Sequence, residues 1–300
     1  MMSNDKNEKT SYLIMIASLV IVGTVGVFRR YIPLSSGAIA FFRGMIGAIS
    51  LFLFILLRQK NFTGIRQSFR SIGTKKLLLL ILNGAFLGIN WMLLFEAINC
   101  TTVAKATLCY YMQPTIVILL SPLLFKERLT AKKLACAAVA LIGMVLVSGV
   151  FAGDETSATD VKGVILALSA ACFYAAIVIL NKKITGVDPY AKTLIQLLFA
   201  AIVLLPYLLM TGQFSRIAPD ATLIVMLLVI GVVHTGLFYV MYFGSMEGLK
   251  AQSVSMLGYI DPIVAMIVSA ILLGEGMAPS GLLGATMIIG ASVVGELGEG

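Results

Sequence analysis

Charge is what this sequence has least of. Only 12% of its 300 residues are Asp, Glu, Lys or Arg, while 59% are apolar, and the mean hydropathy is +1.00. A soluble domain is about a quarter charged, so this chain lacks the polar residues to coat a globule of its size. Histidine occurs once, at His234. The four cysteines, Cys100, Cys109, Cys136 and Cys172, form no Cys-x-x-Cys pair and have no histidine cluster beside them. Neither a metal site nor a disulfide framework is expected, and the cysteines read as small packing residues. No Gly-x-x-x-x-Gly-Lys-Ser/Thr loop occurs, so direct coupling to ATP is unsupported. No His-Glu-x-x-His, Gly-x-Ser-x-Gly or carboxylate cluster argues for an intramembrane enzyme. No cofactor is implied. A receptor or scaffold that transports nothing is the alternative from another class; large loops or tails would favour it, and they are missing.

What is present is apolar sequence in long continuous runs. In lipid every backbone polar group must be satisfied within the protein, which leaves helices or a closed barrel. The runs show no period-2 alternation, which selects helices. With about 20 residues per span, an all-α integral membrane protein of ten helices is expected, at roughly 12–28, 36–57, 76–97, 102–124, 131–149, 161–181, 189–210, 220–243, 250–273 and 279–297. The run from Tyr12 to Phe28 ends in Arg29-Arg30, not a small-residue cleavage site, and reads as a retained first span.

The net charge of +8 lies in the short loops beside the spans, which argues against nucleic-acid binding. With the N-terminus inside, most of the loop Lys and Arg, from Lys6 through Lys75, Lys76, Lys132 and Lys183 to Lys250, fall on the cytoplasmic side. Arg29, Arg30, Lys162 and Arg216 fall outside. That asymmetry places both termini in the cytoplasm of a multi-pass cell-membrane protein.

The chain also repeats itself. The segment beginning at Phe95 aligns without a gap on the segment beginning at Phe243, an offset of 148 residues. Tyr111 matches Tyr259, Pro114 matches Pro262, Ser121 matches Ser269 and Glu127 matches Glu275. Upstream, Gly88 matches Gly236 and Trp91 matches Tyr239. The offset spans five helices, an odd number, so the second copy enters the membrane from the opposite side. Inverted repeats of this kind belong to secondary transporters, with the substrate site near the midplane between the halves.

With its early Arg43 in the second span, Pro114 and Pro262 in the fourth and ninth, and Glu127 and Glu275 just after each, the sequence resembles the EamA-like branch of the drug/metabolite transporter superfamily. It departs from the pattern at Gly276-Met277-Ala278-Pro279, where a charged residue and Leu usually follow the second Glu. The resemblance implies two five-helix repeats and movement of small organic metabolites, such as amino acids, drugs or sugar derivatives. The expected organisation is a cytoplasmic tail at 1–10, a first repeat at 11–149, an outer linker at 150–161 and a second repeat at 162–297.

Polar groups inside spans are costly and need a reason to be there. Arg43 can hold an anionic group or gate the outer vestibule; alternatively it pins carbonyls or pairs with Glu96. Lys105 either snorkels to the surface or meets a carboxylate. Asp261 lies mid-span beside Pro262, whose ring frees a carbonyl, and Gln113 is its counterpart before Pro114. His234 is either a satisfied packing residue or a titratable lining residue. Thr107, Tyr111 and Pro114 form one helical stripe, repeated by Ser255, Tyr259 and Pro262. Trp91, Tyr239 and Tyr242 add aromatic surface, and Asn83 and Asn90 share a face. These groups either line a cavity or glue helices together. Glu127 and Glu275 read as pairing or capping groups at span ends. Gly281, Gly284 and Gly290 suggest close helix packing. The partners implied are a small-molecule substrate, the lipid bilayer and no nucleic acid. A proton is the candidate coupling ion, with Asp261 its first carrier and His234 its second.

Overall fold

The computed structural model describes residues 2–59, 72–113, 115–117, 120, 130–147, 157–184, 186–213, 220–246, 257–258, 260–276 and 278–296. Pro114, Glu127, Ser255 and Tyr259 lie outside the described residues. Every regular element among those described is helical. In chain order they are α1 (Met2–Gly23), α2 (Val25–Arg30), α3 (Ser36–Gln59), α4 (Thr74–Cys100), α5 (Val103–Tyr110), α6 (Ala131–Val147), α7 (Ala158–Lys183), α8 (Pro189–Met210), α9 (Ala221–Leu228), a π-helical stretch Val229–Leu237, α10 (Phe238–Met246), α11 (Ile260–Leu273) and α12 (Pro279–Glu296).

Six stretches among the described residues are long and apolar enough to cross a membrane: Lys9–Arg30, Ser36–Leu57, Thr74–Cys100, Ala158–Asn181, Tyr190–Met210 and Ala221–Tyr242. Leu134–Val147, Ile260–Leu273 and Pro279–Ala291 are apolar but shorter. Large side chains such as Leu53, Leu57, Leu78, Ile142, Ile165 and Ile271 face outward. A soluble monomer rarely exposes so much apolar surface, whereas hydrocarbon solvates it.

Local chemistry fixes several helix starts. Thr102, Ser157, Asp188 and Asp220 each accept a hydrogen bond from the backbone N–H three residues on, at the starts of α5, α7, α8 and α9. Pro189 adds a pre-set φ at the first position of α8. The first span differs from the sequence expectation in two ways. Its helix begins at Met2 instead of about residue 12, and it breaks at Thr24, whose hydroxyl bonds the Ile21 carbonyl at 2.8 Å. The eighth span differs too, because its middle third is π-helical. A π turn leaves a wider ladder, and such stretches are frequent at functional sites.

Small residues set the packing. A Cβ on Gly88 in α4 would lie 2.3 Å from the Ala200 carbonyl oxygen of α8, and one on Gly84 would lie 2.7 Å from that of Gln196. Gly236, the repeat counterpart of Gly88, brings the π-helical stretch equally close to Ser50 of α3. Gly143 of α6 and Gly284 of α12 meet backbone to backbone. Gly290 meets nothing within 4 Å among the described residues. The main helix pairs are α4 with α7 and α8, α3 with α4, α8 and the π-helical stretch, α1 with α10 and α11, α5 with α7 and α11, and α6 with α12.

Candidate functional site

Arg43 is buried, 4% exposed, about a third of the way along α3. Its Nε donates to the Thr235 hydroxyl at 2.8 Å and its Nη2 to the His234 carbonyl at 3.4 Å. Its guanidinium lies over the Trp91 ring, 4.5 Å from the centroid. The π-helical stretch makes this possible: Thr235 bonds back to the carbonyl five residues earlier, on Ile230, and turns its hydroxyl to α3. Arg43 therefore pins a carbonyl. It does not bond Glu96, which instead accepts from Ser36 at 2.7 Å and Asn99 at 3.2 Å. Arg29 supplies the nearby cation. It is 4% exposed, not set out in the outer loop, and donates to the Ile32 carbonyl and the Ser36 hydroxyl.

Asp261 stands in the first turn of α11. Its Oδ2 accepts from the Tyr111 hydroxyl at 2.5 Å, and that hydroxyl also reaches the Gly258 carbonyl at 3.3 Å. The contact joins the two halves of the chain. Tyr111 stands edge-on to Tyr110, and Tyr110 edge-on to Tyr174, with centroids 6.0 and 5.7 Å apart. On the facing element Phe238 packs with Tyr239 and Tyr242. Arg43, Tyr110, Tyr174 and Tyr242 are all close enough to Asp261 to interact with it electrostatically. Tyr239 stands in the same relation to Arg43. Gln113 carries a buried Oε1 with no partner among the described residues, and Pro262 is buried.

Three of the sequence candidates are tied to packing. The Asn83 and Asn90 amides donate to the Ile177 and Ala170 carbonyls of α7, so this face of α4 holds a neighbouring helix. Asn90 also accepts from Tyr110, which links it to the aromatic cluster. His234 is 2% exposed, with Nδ1 at the Val229 carbonyl and Nε2 at the Thr24 hydroxyl, and its ring packs on Phe28.

One end of the bundle is laced together. Glu275 pairs with Arg30 at 3.0 Å and accepts the Val103 backbone N–H at 2.7 Å. Gly274, with φ of 66°, lets the chain turn sharply after α11 and aims Glu275 at α5. Arg30 also donates to the Thr101 carbonyl. Lys105 meets a carboxylate, Asp160, at 2.7 Å, and Thr101 bonds the same group. Ser35 bonds Gln213. Sequence reasoning missed Thr24, Thr235, Tyr110, Tyr174 and Asp160. Only adjacency to Tyr111 hinted at Tyr110.

Long apolar helices with an arginine, a carboxylate and ring hydroxyls gathered inside define a multi-pass membrane protein with a polar interior. The chain belongs to the EamA-like transporter family, whose model matches residues 9–149 and again residues 161–294. It is thus a membrane transporter of the drug/metabolite class. It is 29% identical to "Uncharacterized transporter YxxF" of Bacillus subtilis, over 90% of this chain and 84% of that one. A transporter of Archaeoglobus fulgidus is also 29% identical, over 93% and 94%. "Probable amino-acid metabolite efflux pump" of Salmonella typhimurium is 30% identical over 64% of this chain and 67% of its own. One crystal structure superimposes with a TM-score of 0.66 over 96% of this chain and 97% of that one, at 17% identity, which is a likeness of fold.

Proposed function

We propose that the chain is a secondary transporter that moves small organic metabolites, amino acids or related compounds first among them, out across the cytoplasmic membrane by alternating access. The observation that carries this reading is the Tyr111–Asp261 contact, with Arg43 and the tyrosines around it, at the crossing of the two halves. The helix pairs support ten spans in two inverted repeats. Exchanging first to fifth spans for sixth to tenth turns the α3 contact with the π-helical stretch into that of α8 with α4, and α1 with α11 into α7 with α5. The laced end is the outer one on the Lys/Arg asymmetry, so its ion pairs act as the closed outer gate. Proton coupling through Asp261 fits a carboxylate placed at the halves' crossing, with His234 second because its ring nitrogens already face Thr24 and Val229.

The direct test is flux of radiolabelled amino acids and related metabolites into proteoliposomes, with and without a pH gradient. Saturable flux with counterflow is expected for at least one compound. Rates equal to protein-free vesicles across the panel would reject the proposal. Topology is checked separately on a cysteine-free background. A membrane-impermeant thiol reagent should label Ser157→Cys from outside intact cells, and Ser68→Cys only after permeabilisation. The opposite pattern would invert the assignment.

A further inference from the structure

Three carboxylates near the spans are partnered: Asp160 by Lys105, Glu275 by Arg30, and Glu96 by Ser36 and Asn99. Asp261 is different. Among the described residues no Lys, Arg or His lies within ion-pair distance of it. Its Oδ2 takes the Tyr111 hydroxyl, a neutral donor and not a cation. Arg43, the cation that acts on it electrostatically among the described residues, is held elsewhere, with Nε on Thr235, Nη2 on the His234 carbonyl and its face on Trp91. A carboxylate within a membrane span is normally paired. Tyr111, bonded to Asp261, stands edge-on to Tyr110 and Tyr110 to Tyr174, and Tyr110, Tyr174 and Tyr242 are close enough to Asp261 to interact with it electrostatically; ring faces attract cations as a carboxylate does.

We infer that Asp261 is the specificity-determining residue of the transport site and that it receives the ammonium group of an amine-bearing substrate, with the surrounding tyrosine rings forming the rest of the cation cage. An acid carrying the same hydrocarbon but no amine is discriminated against, because its carboxylate would face that of Asp261 without a cation between them. Specificity of this kind arises as much from the repelled ligand as from the accepted one. The inference rests on the transporter reading, since it names what that site accepts.

Trp91 is the only tryptophan of the chain and lies against Arg43 in the cluster, so its fluorescence reports occupancy directly. Purified full-length protein in nanodiscs is titrated with 2-phenylethylamine, 2-phenylethanol and 3-phenylpropionate. The amine is expected to bind at least about tenfold more tightly than the alcohol or the acid, a gap typical of one well-placed charged contact. Asp261→Asn, nearly isosteric, should abolish that preference, the amine then binding no more tightly than the alcohol measured in the same variant; Asp261→Glu should restore part of it. The wild-type comparison needs no variant, so misfolding of Asp261→Asn cannot decide the result. Equal or tighter binding of the acid, no amine preference in the wild type, or unchanged amine binding in Asp261→Asn would each overturn the inference. Metabolite flux in proteoliposomes separates the two levels. Flux without amine preference refutes the ammonium site alone, whereas amine binding without any flux refutes transport and leaves the site standing.

Discussion

Gly88→Val should leave almost no monodisperse protein after extraction from the membrane. The new Cβ would sit 2.3 Å from the Ala200 carbonyl oxygen and 3.0 Å from its carbon. Both are backbone atoms of α8, held in their own helix, so relief requires α4 and α8 to separate. Overpacking commonly costs about 1–3 kcal/mol, and a clash with rigid backbone belongs at or above the top of that range. A domain stable by about 5–15 kcal/mol loses a large share of its margin. Gly236→Val is expected to be milder. Its Cβ would meet the Ser50 hydroxyl first, which can rotate away. Gly290→Ala, with nothing within 4 Å, should be neutral or slightly stabilising. Fluorescence-detected size-exclusion profiles and melting temperatures of the three variants check that order. A well-behaved Gly88→Val protein would show that the α4–α8 approach is looser than described.

Arg43→Met should lower metabolite flux by roughly 10- to 100-fold while the protein still purifies as a single species. Methionine fills part of the same space over Trp91 but removes the charge-assisted bond to Thr235 and the bond to the His234 carbonyl. Hydrogen bonds to charged groups contribute about 1.5–3 kcal/mol, and each 1.36 kcal/mol is a factor of ten. Folding is expected to survive because Thr235 keeps its bond to the Ile230 carbonyl, and removing a buried charge offsets part of the lost contact. Arg43→Lys should recover little, because an ammonium does not reproduce the flat stacking on Trp91 together with two divergent hydrogen bonds. Initial rates in proteoliposomes, normalised to inserted protein, measure the effect; a wild-type rate in Arg43→Met would remove Arg43 from the transport path.

Much of the framework was visible in the chain itself. Continuous apolar runs reveal spans because hydrocarbon tolerates little else, and α8 falls at residues 189–210 because Asp188-Pro189 is a clear helix start. Arg43 and Asp261 stood out because ionised side chains in apolar runs are conspicuous. What stayed hidden depends on contacts distant in sequence. Arg29 and Arg30 are neighbours, yet on one helix they point about 100° apart, so one is buried beside Ser36 while the other meets Glu275. Nothing local distinguishes a π turn from an α turn in Val229–Leu237; the widening shows in backbone bonds such as that from the Phe238 N–H to the Val233 carbonyl, and in the side-chain bonds that His234 and Thr235 make five residues back. Asn83 and Asn90, seven residues apart, were legible as one face, but not that the face meets α7. Glu275 could be read as a group at a span end; that it would cap α5, from the other half of the chain, could not.

Alternating access requires the laced end to open and close in each cycle, and a reversible cross-link across it tests this most directly. Arg30→Cys with Glu275→Cys, on a background without Cys100, Cys109, Cys136 and Cys172, places thiols on the two elements joined by this end's Arg30–Glu275 ion pair. A bifunctional methanethiosulfonate reagent added to proteoliposomes should then abolish metabolite flux, and dithiothreitol should restore it, while each single-cysteine variant is unaffected by the same treatment. Flux in the cross-linked protein at the rate of the untreated protein would show that this end does not move during transport, and would contradict the account.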